Sequence, residues 1–420
     1  MLSLNKSPLV LILLLISFAA NAEINNLSVR GFLSQGFIHT NGNNYLGETQ
    51  SGSFDFGEAG LNILYRPFNR VYWASQFSIR NIGDHESGEE DFRIDYGLIN
   101  FHLTSSNQYD ANIKLGRFKY FYGLYSDIQD TPTAIPGVLP AQTMYFEYVY
   151  PNLVVDGLQL NQSFRFDGFG DIDFDLMYGK LTDEEKKSND ALQTYFQLYG
   201  PYFPGIQGEV DAYDGVVGLQ LQYMSLDNSL LLSYGHIFYD GTVVVDLWNQ
   251  DYKLTDENDL VIDVFSFEYV SDNWTITGEY GTNRTVLSRK FLNIQQGLTT
   301  ELFQKVRSES YYLQYRYQLS SQFEPLVRYE VFHYDRSDKN GSKWAAANPA
   351  GKDYWRFSKS FVIGGTYNFS ESVSLSSEFH IIDGAGLNFI AASNGAKDNA
   401  IENGFDRYWN MFLTKLTYSF

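Results

Sequence analysis

The sequence predicts an all-β transmembrane barrel of sixteen antiparallel strands, and three observations lead to it. Segments of alternating apolar and polar residues recur along the chain. Their connections are alternately short and long, as are the periplasmic turns and extracellular loops of outer-membrane barrels. Tyr (32) and Phe (33) raise the aromatic content to 17%, although the formal net charge is −20. Aromatic girdles at both membrane interfaces explain so many rings in so acidic a chain.

The N-terminus has the features of a secretory signal. A basic Lys6 precedes the apolar run from Leu9 to Phe18, and Ala20-Asn21-Ala22 forms a small-residue cleavage site. We expect cleavage after Ala22, which gives a signal peptide at 1–22 and a single barrel domain at 23–420. The apolar run is shorter than the roughly 20 residues of a spanning helix. Strands must therefore make any membrane crossing, and we expect the outer membrane of a Gram-negative bacterium.

Period-two alternation bounded by turn residues predicts sixteen strands. For example, Leu219 and Leu221 alternate with Gln220 and Gln222. The predicted strands lie near 28–39, 54–65, 71–82, 92–104, 111–120, 154–164, 172–179, 215–224, 229–239, 259–270, 274–282, 308–319, 323–334, 357–368, 372–383 and 408–420. A soluble sandwich is the alternative, but sixteen strands without covering helices must close or expose their edges.

The width of the barrel predicts a water-filled interior, because side chains cannot fill a barrel of sixteen strands. The segment 121–153, after the fifth strand, is rich in aromatic residues and contains Pro132, Pro136 and Pro140. These features favour a compact non-helical loop. We expect this constriction loop to fold into the lumen and narrow it without sealing it.

Charged residues at alternating strand positions are expected to face the lumen, since Arg or Lys on the lipid face costs about 2–4 kcal/mol near the midplane. Opposed acidic and basic walls would orient solutes in transit. Asp127 and Asp130 are the acidic candidates on the constriction loop. The full predicted pore-lining set is Arg30, Glu58, Arg80, Lys114, Arg117, Lys119, Asp127, Asp130, Arg316, Arg328, Glu330 and Glu378.

Two stretches carry a resemblance to known proteins. Gly116-Arg117-Phe118-Lys119 with Gly123-Leu124-Tyr125, and Pro140-Ala141-Gln142-Thr143-Met144-Tyr145, resemble porins akin to the phosphate-selective family. The position of the loop after strand five is similar to that in general trimeric porins. The resemblance implies a homotrimer for passive diffusion of small hydrophilic solutes and ions. The terminal Phe420 resembles the signal that the outer-membrane assembly machinery reads.

Two other functions remain open alongside passive diffusion. A substrate-specific channel could take an anion or a small organic solute, although 30 Lys plus Arg against 50 Asp plus Glu argues against a continuous basic ladder. A surface receptor or adhesin would use the long loops and treat the barrel as a scaffold. An enzyme is not expected, because the six histidines show neither metal-ligand nor nucleophile spacing.

The charge of the loops suggests partners outside the pore. The acidic spans 83–91, 180–214 and 240–258 include Glu89-Glu90-Asp91 and Asp183-Glu184-Glu185, which could hold Ca²⁺ or Mg²⁺ bridging loops or lipopolysaccharide phosphates, or could simply be solvated. No other cofactor is expected. The basic span 283–307 could contact lipopolysaccharide or a neighbouring subunit. The overall acidity argues against nucleic acid as a partner.

Overall fold

The structure, a computed structural model, describes residues 26–82, 91–129, 131–146, 154–181, 208–247, 252–393 and 404–420. In these residues sixteen antiparallel strands close into one barrel, which confirms the predicted fold class. The strands are β1 (Leu27–Asn41), β2 (Phe56–Phe68), β3 (Val71–Ile82), β4 (Asp91–Ser105), β5 (Tyr109–Lys119), β6 (Val154–Phe166), β7 (Gly170–Leu181), β8 (Gly208–Ser225), β9 (Leu230–Leu247), β10 (Tyr252–Val270), β11 (Trp274–Asn293), β12 (Leu298–Tyr317), β13 (Phe323–His333), β14 (Phe357–Asn368), β15 (Val373–Asp383) and β16 (Tyr408–Ser419).

The barrel closes where the first strand pairs with the last. In the β1–β16 ladder Phe32 lies opposite Ser419, and the register continues to Asn41 opposite Asn410. The terminal residue extends this ladder, because Gly31 and Phe420 exchange two backbone hydrogen bonds of 3.0 Å. Closure leaves no unpaired sheet edge, which is a requirement for strands in a bilayer.

Alternation along each strand separates an outward from an inward face. On β12, Leu313 and Tyr315 are exposed on the outside, whereas Tyr312 and Gln314 are buried on the inside. Apolar and aromatic outward side chains suit contact with lipid, and polar inward side chains suit the lumen. The inward face therefore carries the residues from which a site can be built.

The connections follow the predicted alternation with two exceptions. The short turns include 167–169, 226–229 and 271–273, and the long connections include 42–55 and 334–356. The predicted loops at 240–258 and 283–307 are instead largely strand: β9 reaches Leu247, β10 begins at Tyr252, and β11 joins β12 through a turn at 294–297. We attribute the error to polar and apolar residues mixed on both faces, as in Val243-Val244-Val245, which hide the alternation while the backbone continues to pair.

Short helices lie in the long connections. They are α1 (Gln142–Tyr145), α2 (Ser342–Ala347), α3 (Gly386–Ser393) and a 3₁₀ turn at Asp353–Arg356. Of the helices in the described ranges, none has the length and apolar character needed to cross a bilayer.

Two long connections pack on each other at one end of the barrel. The Arg356 guanidinium lies over the Tyr334 ring at 3.3 Å and over the Trp344 ring at 4.8 Å. Trp355 stacks on Phe389 of α3 with ring centroids 5.5 Å apart. The Arg356 guanidinium also lies 5.9 Å from the Phe389 ring, so cation–π and aromatic contacts join 334–356 to α3.

Candidate functional site

The chain after β5 packs against the inside of the barrel. We call residues 120–129 and 131–146 the inner loop. Tyr122, Val138 and Met144 of this loop have no exposed surface. The Tyr122 backbone lies so close to Gly235 of β9 that a Cβ there would stand 2.5 Å from the Tyr122 carbonyl oxygen. Glycine on the strand therefore permits contact between loop backbone and barrel wall.

Glu279 of β11 is the first wall carboxylate that holds the inner loop. It accepts the backbone N–H of Leu124 at 2.8 Å. It also accepts hydrogen bonds from Ser266 (2.6 Å) and Tyr312 (2.8 Å) on the wall, and from Tyr145 on the loop. Burial, followed by the nearby Glu279 carboxylate, raises the pKa of Tyr145, so its hydroxyl stays protonated and able to donate.

Glu378 of β15 is the second wall carboxylate that holds the inner loop. It accepts the Val138 backbone N–H at 2.9 Å. The preceding Gly137 has a φ of +79°, and a Cβ at that residue would lie 1.9 Å from the Glu378 carboxylate. Only glycine suits both the left-handed backbone and the close approach. Gly137 is therefore the residue that lets the loop reach this carboxylate.

Glu330 of β13 is the third, and it belongs to a buried ionic network. It accepts the Thr143 backbone N–H at 3.1 Å and an Arg328 hydrogen bond at 2.7 Å. Arg328 also reaches Glu378 at 3.5 Å and Gln314 at 3.1 Å. The Arg328 and Glu378 side chains are 0% exposed. One guanidinium thus balances two carboxylates that are removed from water.

These contacts define a covered wall, which is the inner face of β9–β15 beneath the inner loop. Three glutamates of this wall, Glu279, Glu330 and Glu378, point their oxygens at backbone N–H groups of the loop. Charge-assisted hydrogen bonds of this kind are stronger than neutral ones. We conclude that Glu279, Glu330 and Glu378 position the loop and do not line water.

The opposite side of the lumen is different. We call the inner face of β5–β7 the open wall, and its Lys114, Asn161, Asp173 and Asp175 side chains all retain partial exposure. Asn161 donates a hydrogen bond to Asp175. Lys114 interacts electrostatically with Asp175 and with Asp127, which is exposed on the inner loop. Charged groups from strand and loop therefore lie close enough to interact on this wall.

Two further groups of ion pairs include predicted residues. Glu58 of β2 lies 3.3 Å from Arg80 of β3 and 3.4 Å from Lys415 of β16. Arg316 of β12 lies 3.5 Å from Glu268 and 3.3 Å from Glu324. Their strand positions place these groups on the inward face, beside the buried residues of each strand.

The remaining predicted residues are dispersed. Arg30 is exposed and has the inward parity of Ser34. Arg117 has the outward parity of Leu115 and pairs with Asp156 at 3.1 Å, so it does not face the lumen as expected. Lys119 is buried at the end of β5 and does not line water.

Arg117 lies two residues from the end of β5, where the cost of an outward charge falls to about 0–1 kcal/mol, and its counter-ion there is Asp156. The structure therefore corrects the prediction for Arg117, which points outward, and for Lys119, Arg328, Glu330 and Glu378, which are buried.

Several expectations fall outside the described residues. These are the signal peptide at 1–22, Asp130, the end of the constriction loop at 147–153, and the acidic runs Glu89-Glu90 and Asp183-Glu184-Glu185. Within the described ranges, no group of three or more His, Cys, Asp or Glu side chains is arranged to hold a metal ion.

Sequence reasoning missed Glu279, Asp175 and Lys415. All three lie in predicted strands, at positions whose parity assigns them to the inward face. Alternation could have added them to the candidate set. It could not have revealed that Glu279 receives a loop N–H, because that contact joins residues 155 apart in sequence.

The chain was compared with known proteins. No model of a protein family and no curated protein matches it. Among solved structures, the trimer form of in-vitro folded OmpT from Vibrio cholerae has a TM-score of 0.51 at 10% identity, covering 94% of this chain and 99% of that chain. The outer membrane channel DcaP of Acinetobacter baumannii has 0.51 at 10% identity, covering 94% and 97%.

The anion-selective porin from Comamonas acidovorans has a TM-score of 0.52 at 11% identity, covering 94% of this chain and 99% of that chain. At such identities the likeness establishes the fold. The chain has the β-barrel fold of outer-membrane porins.

Proposed function

We propose that this protein forms a water-filled channel for passive diffusion of small hydrophilic solutes and ions. One observation carries the proposal: the inner loop is bound along the covered wall, while the open wall keeps charged side chains accessible. A loop held to one side narrows a lumen and leaves a path along the other. The likeness to porins in fold supports the same function.

The proposal includes a location and an assembly. We place the barrel in the outer membrane of a Gram-negative bacterium, in contact with lipid and lipopolysaccharide, after removal of residues 1–22. We propose a homotrimer, which the trimer form of OmpT supports by likeness of fold. Phe420, at the end of the closing ladder, is proposed to be read by the assembly machinery. The proposed function involves no catalysis.

Planar-bilayer recording tests the proposal. The purified, detergent-extracted protein is expected to give stable conductance steps that close in threes, and liposomes that contain it are expected to swell in small sugars but not in large ones. Native oligomers should resist unfolding on a denaturing gel until they are heated. A barrel that inserts but carries no current would overturn the channel and favour a surface receptor or adhesin.

A further inference from the structure

We propose that the outer surface of β11 and β12 binds phosphate groups of outer-leaflet lipopolysaccharide through Arg284 and Arg307, with Lys305 beside them. This inference rests on the outer-membrane location in the proposed function and names the surface that holds the lipid. All three residues are exposed, and we call them the basic patch. The argument for this partner comes from the height of the patch in the membrane and from the arrangement of its charges.

A row of aromatic side chains marks the membrane interface on the same surface. Tyr234, Phe265, Tyr280 and Tyr311 lie directly opposite one another on the four consecutive strands β9 to β12. Phe265, Tyr280 and Tyr311 are exposed on the outside of the barrel. Aromatic girdles of outer-membrane barrels lie at the level of the lipid headgroups. The row therefore locates one edge of the hydrocarbon.

The basic patch lies beyond this row, toward the end of the barrel that carries the long connections. Arg284 is four residues from Tyr280, and Arg307 is four residues from Tyr311, in the direction of the β11–β12 turn. Even spacing keeps both arginines on the outward face with the tyrosines. Four residues of a tilted strand rise about 10 Å along the barrel axis. Both guanidinium groups therefore lie in the extracellular headgroup layer and not in the hydrocarbon.

Two arginines of the patch face each other across the strand pair. Arg284 is directly opposite Arg307 in the β11–β12 register, and Lys305 is the next outward residue of β12. Like charges at opposite positions destabilise a sheet. In the described ranges none of the three cations has an ion-pair partner, whereas Lys290 of the same hairpin pairs with Glu257 at 3.2 Å. An anion shared by the two arginines would relieve their repulsion, and planar guanidinium groups match the oxygens of phosphate.

Acidic side chains at the level between the aromatic row and the patch have partners of their own. Glu309 accepts a hydrogen bond from Lys339. Asp263 of β10 lies 2.8 Å from His236 of β9. These contacts leave the basic patch available for an anion from outside the chain.

An acidic pair lies next to the basic one. Asp240 and Asp259 are exposed and directly opposite each other on β9 and β10. Asp259 is a diagonal neighbour of Arg284 and makes no ion pair with it. The acidic pair repels phosphate, so its removal provides a test with the opposite sign.

Titration of the purified, detergent-solubilised protein with lipopolysaccharide, in a buffer that chelates divalent cations, tests the inference. Arg284→Gln/Arg307→Gln is expected to weaken the apparent affinity by at least about fivefold. Asp240→Asn/Asp259→Asn is expected to strengthen it. The matched control is Arg66→Gln/Arg70→Gln, which removes two exposed arginines at the β2–β3 turn, on the opposite end of the barrel. This control is expected to leave the affinity unchanged.

Lipopolysaccharide stripped of its phosphate groups identifies the ligand chemistry. It is expected to bind the wild-type protein more weakly, and to bind Arg284→Gln/Arg307→Gln as weakly as intact lipopolysaccharide does. Equal affinity of the wild-type protein for the two lipids, or equal losses in the patch variant and the control, overturns the inference. A patch variant that migrates as a monomer on an unheated gel also overturns it, because the patch would then be a contact between subunits.

Conductance in phospholipid bilayers separates this inference from the proposed channel. The patch variant is expected to conduct as the wild-type protein does, since its substituted side chains lie outside the lumen. A barrel that carries no current overturns the proposed channel, whereas the titration alone decides the lipid site.

Discussion

The covered wall and the open wall carry the same types of charged residue, but these residues have different roles on the two walls. On the covered wall, carboxylates are buried and accept backbone N–H groups, as Glu378 does from Val138. On the open wall, Asp175 is partly exposed beside Lys114. The difference is whether the inner loop lies over the side chain. A charged residue of a barrel is therefore structural or solute-facing according to the loop above it, and strand position alone does not decide which.

The largest expected effect is that of Arg328→Met. It leaves the Glu330 and Glu378 carboxylates buried without their counter-ion, which costs about 3–5 kcal/mol. We expect the inner loop to detach and the single-channel current to become noisy. A cysteine at Thr143 reports detachment by its rate of maleimide labelling, because the chain has no other cysteine and Thr143 is 1% exposed.

The Thr143→Cys label itself is mild, since the Thr143 hydroxyl has no hydrogen-bond partner. In this background Arg328→Met is expected to raise the labelling rate by at least about tenfold. Arg316→Met is the control, because Arg316 is partly exposed between its carboxylates. Equal labelling in the two variants would show that the burial of the Arg328 ion pairs does not hold the inner loop in place.

Gly137→Ala addresses the contact between loop and wall without removing a charge. A left-handed alanine costs about 1–2 kcal/mol, and its Cβ would also collide with Glu378. Gly168→Ala is the matched control, since Gly168 has the same φ of +79° and nothing within 4 Å of its Cβ position. We expect the Thr143→Cys reporter to be labelled faster in Gly137→Ala and at an unchanged rate in Gly168→Ala. Equal labelling rates in the two variants would show that the close approach of Gly137 to Glu378 does not hold the loop.

Tyr145→Phe and Tyr312→Phe sharpen the account of Glu279. Tyr145 donates to Glu279 and accepts the Tyr125 N–H at 3.1 Å, whereas Tyr312 only donates. Loss of Tyr145 leaves that N–H without a partner, at a cost of about 1–3 kcal/mol, against about 1 kcal/mol for a lost hydrogen bond alone. The Thr143→Cys reporter should thus be labelled faster in the Tyr145→Phe variant than in the Tyr312→Phe variant. Faster labelling in Tyr312→Phe than in Tyr145→Phe would show that the wall hydroxyl, and not the loop hydroxyl, is the more important partner of Glu279.

The sequence predicted the barrel well because period-two alternation and turn residues are local. It set the number of strands and the inward parity of Glu58, Arg328 and Glu378. It extended poorly to β9–β12, where polar and apolar residues are mixed on both faces of the strand and hide the alternation.

The candidate site was harder to predict. Long-range contacts decide it: Arg328 was expected to line water, but the loop covers it. Arg117 was expected inside, but it pairs with Asp156 outside. Neither the path of a loop nor the position of a counter-ion on another strand is encoded in alternation.

Lys114→Gln is expected to have the smallest effect on structure. It is expected to increase the preference of the channel for potassium over chloride. Lys114 is partly exposed and interacts electrostatically with Asp127 and Asp175, and partly exposed charge interactions contribute about 0–1 kcal/mol to stability. Its removal should leave labelling of the Thr143→Cys reporter unchanged. It should raise the potassium-to-chloride permeability ratio, because Asp127 and Asp175 lose a neighbouring positive charge. The control is Lys290→Gln, on the β10–β11 hairpin beside Glu257. If Lys114→Gln released the loop, or if both variants moved the ratio equally, the open wall would not differ from the rest of the barrel.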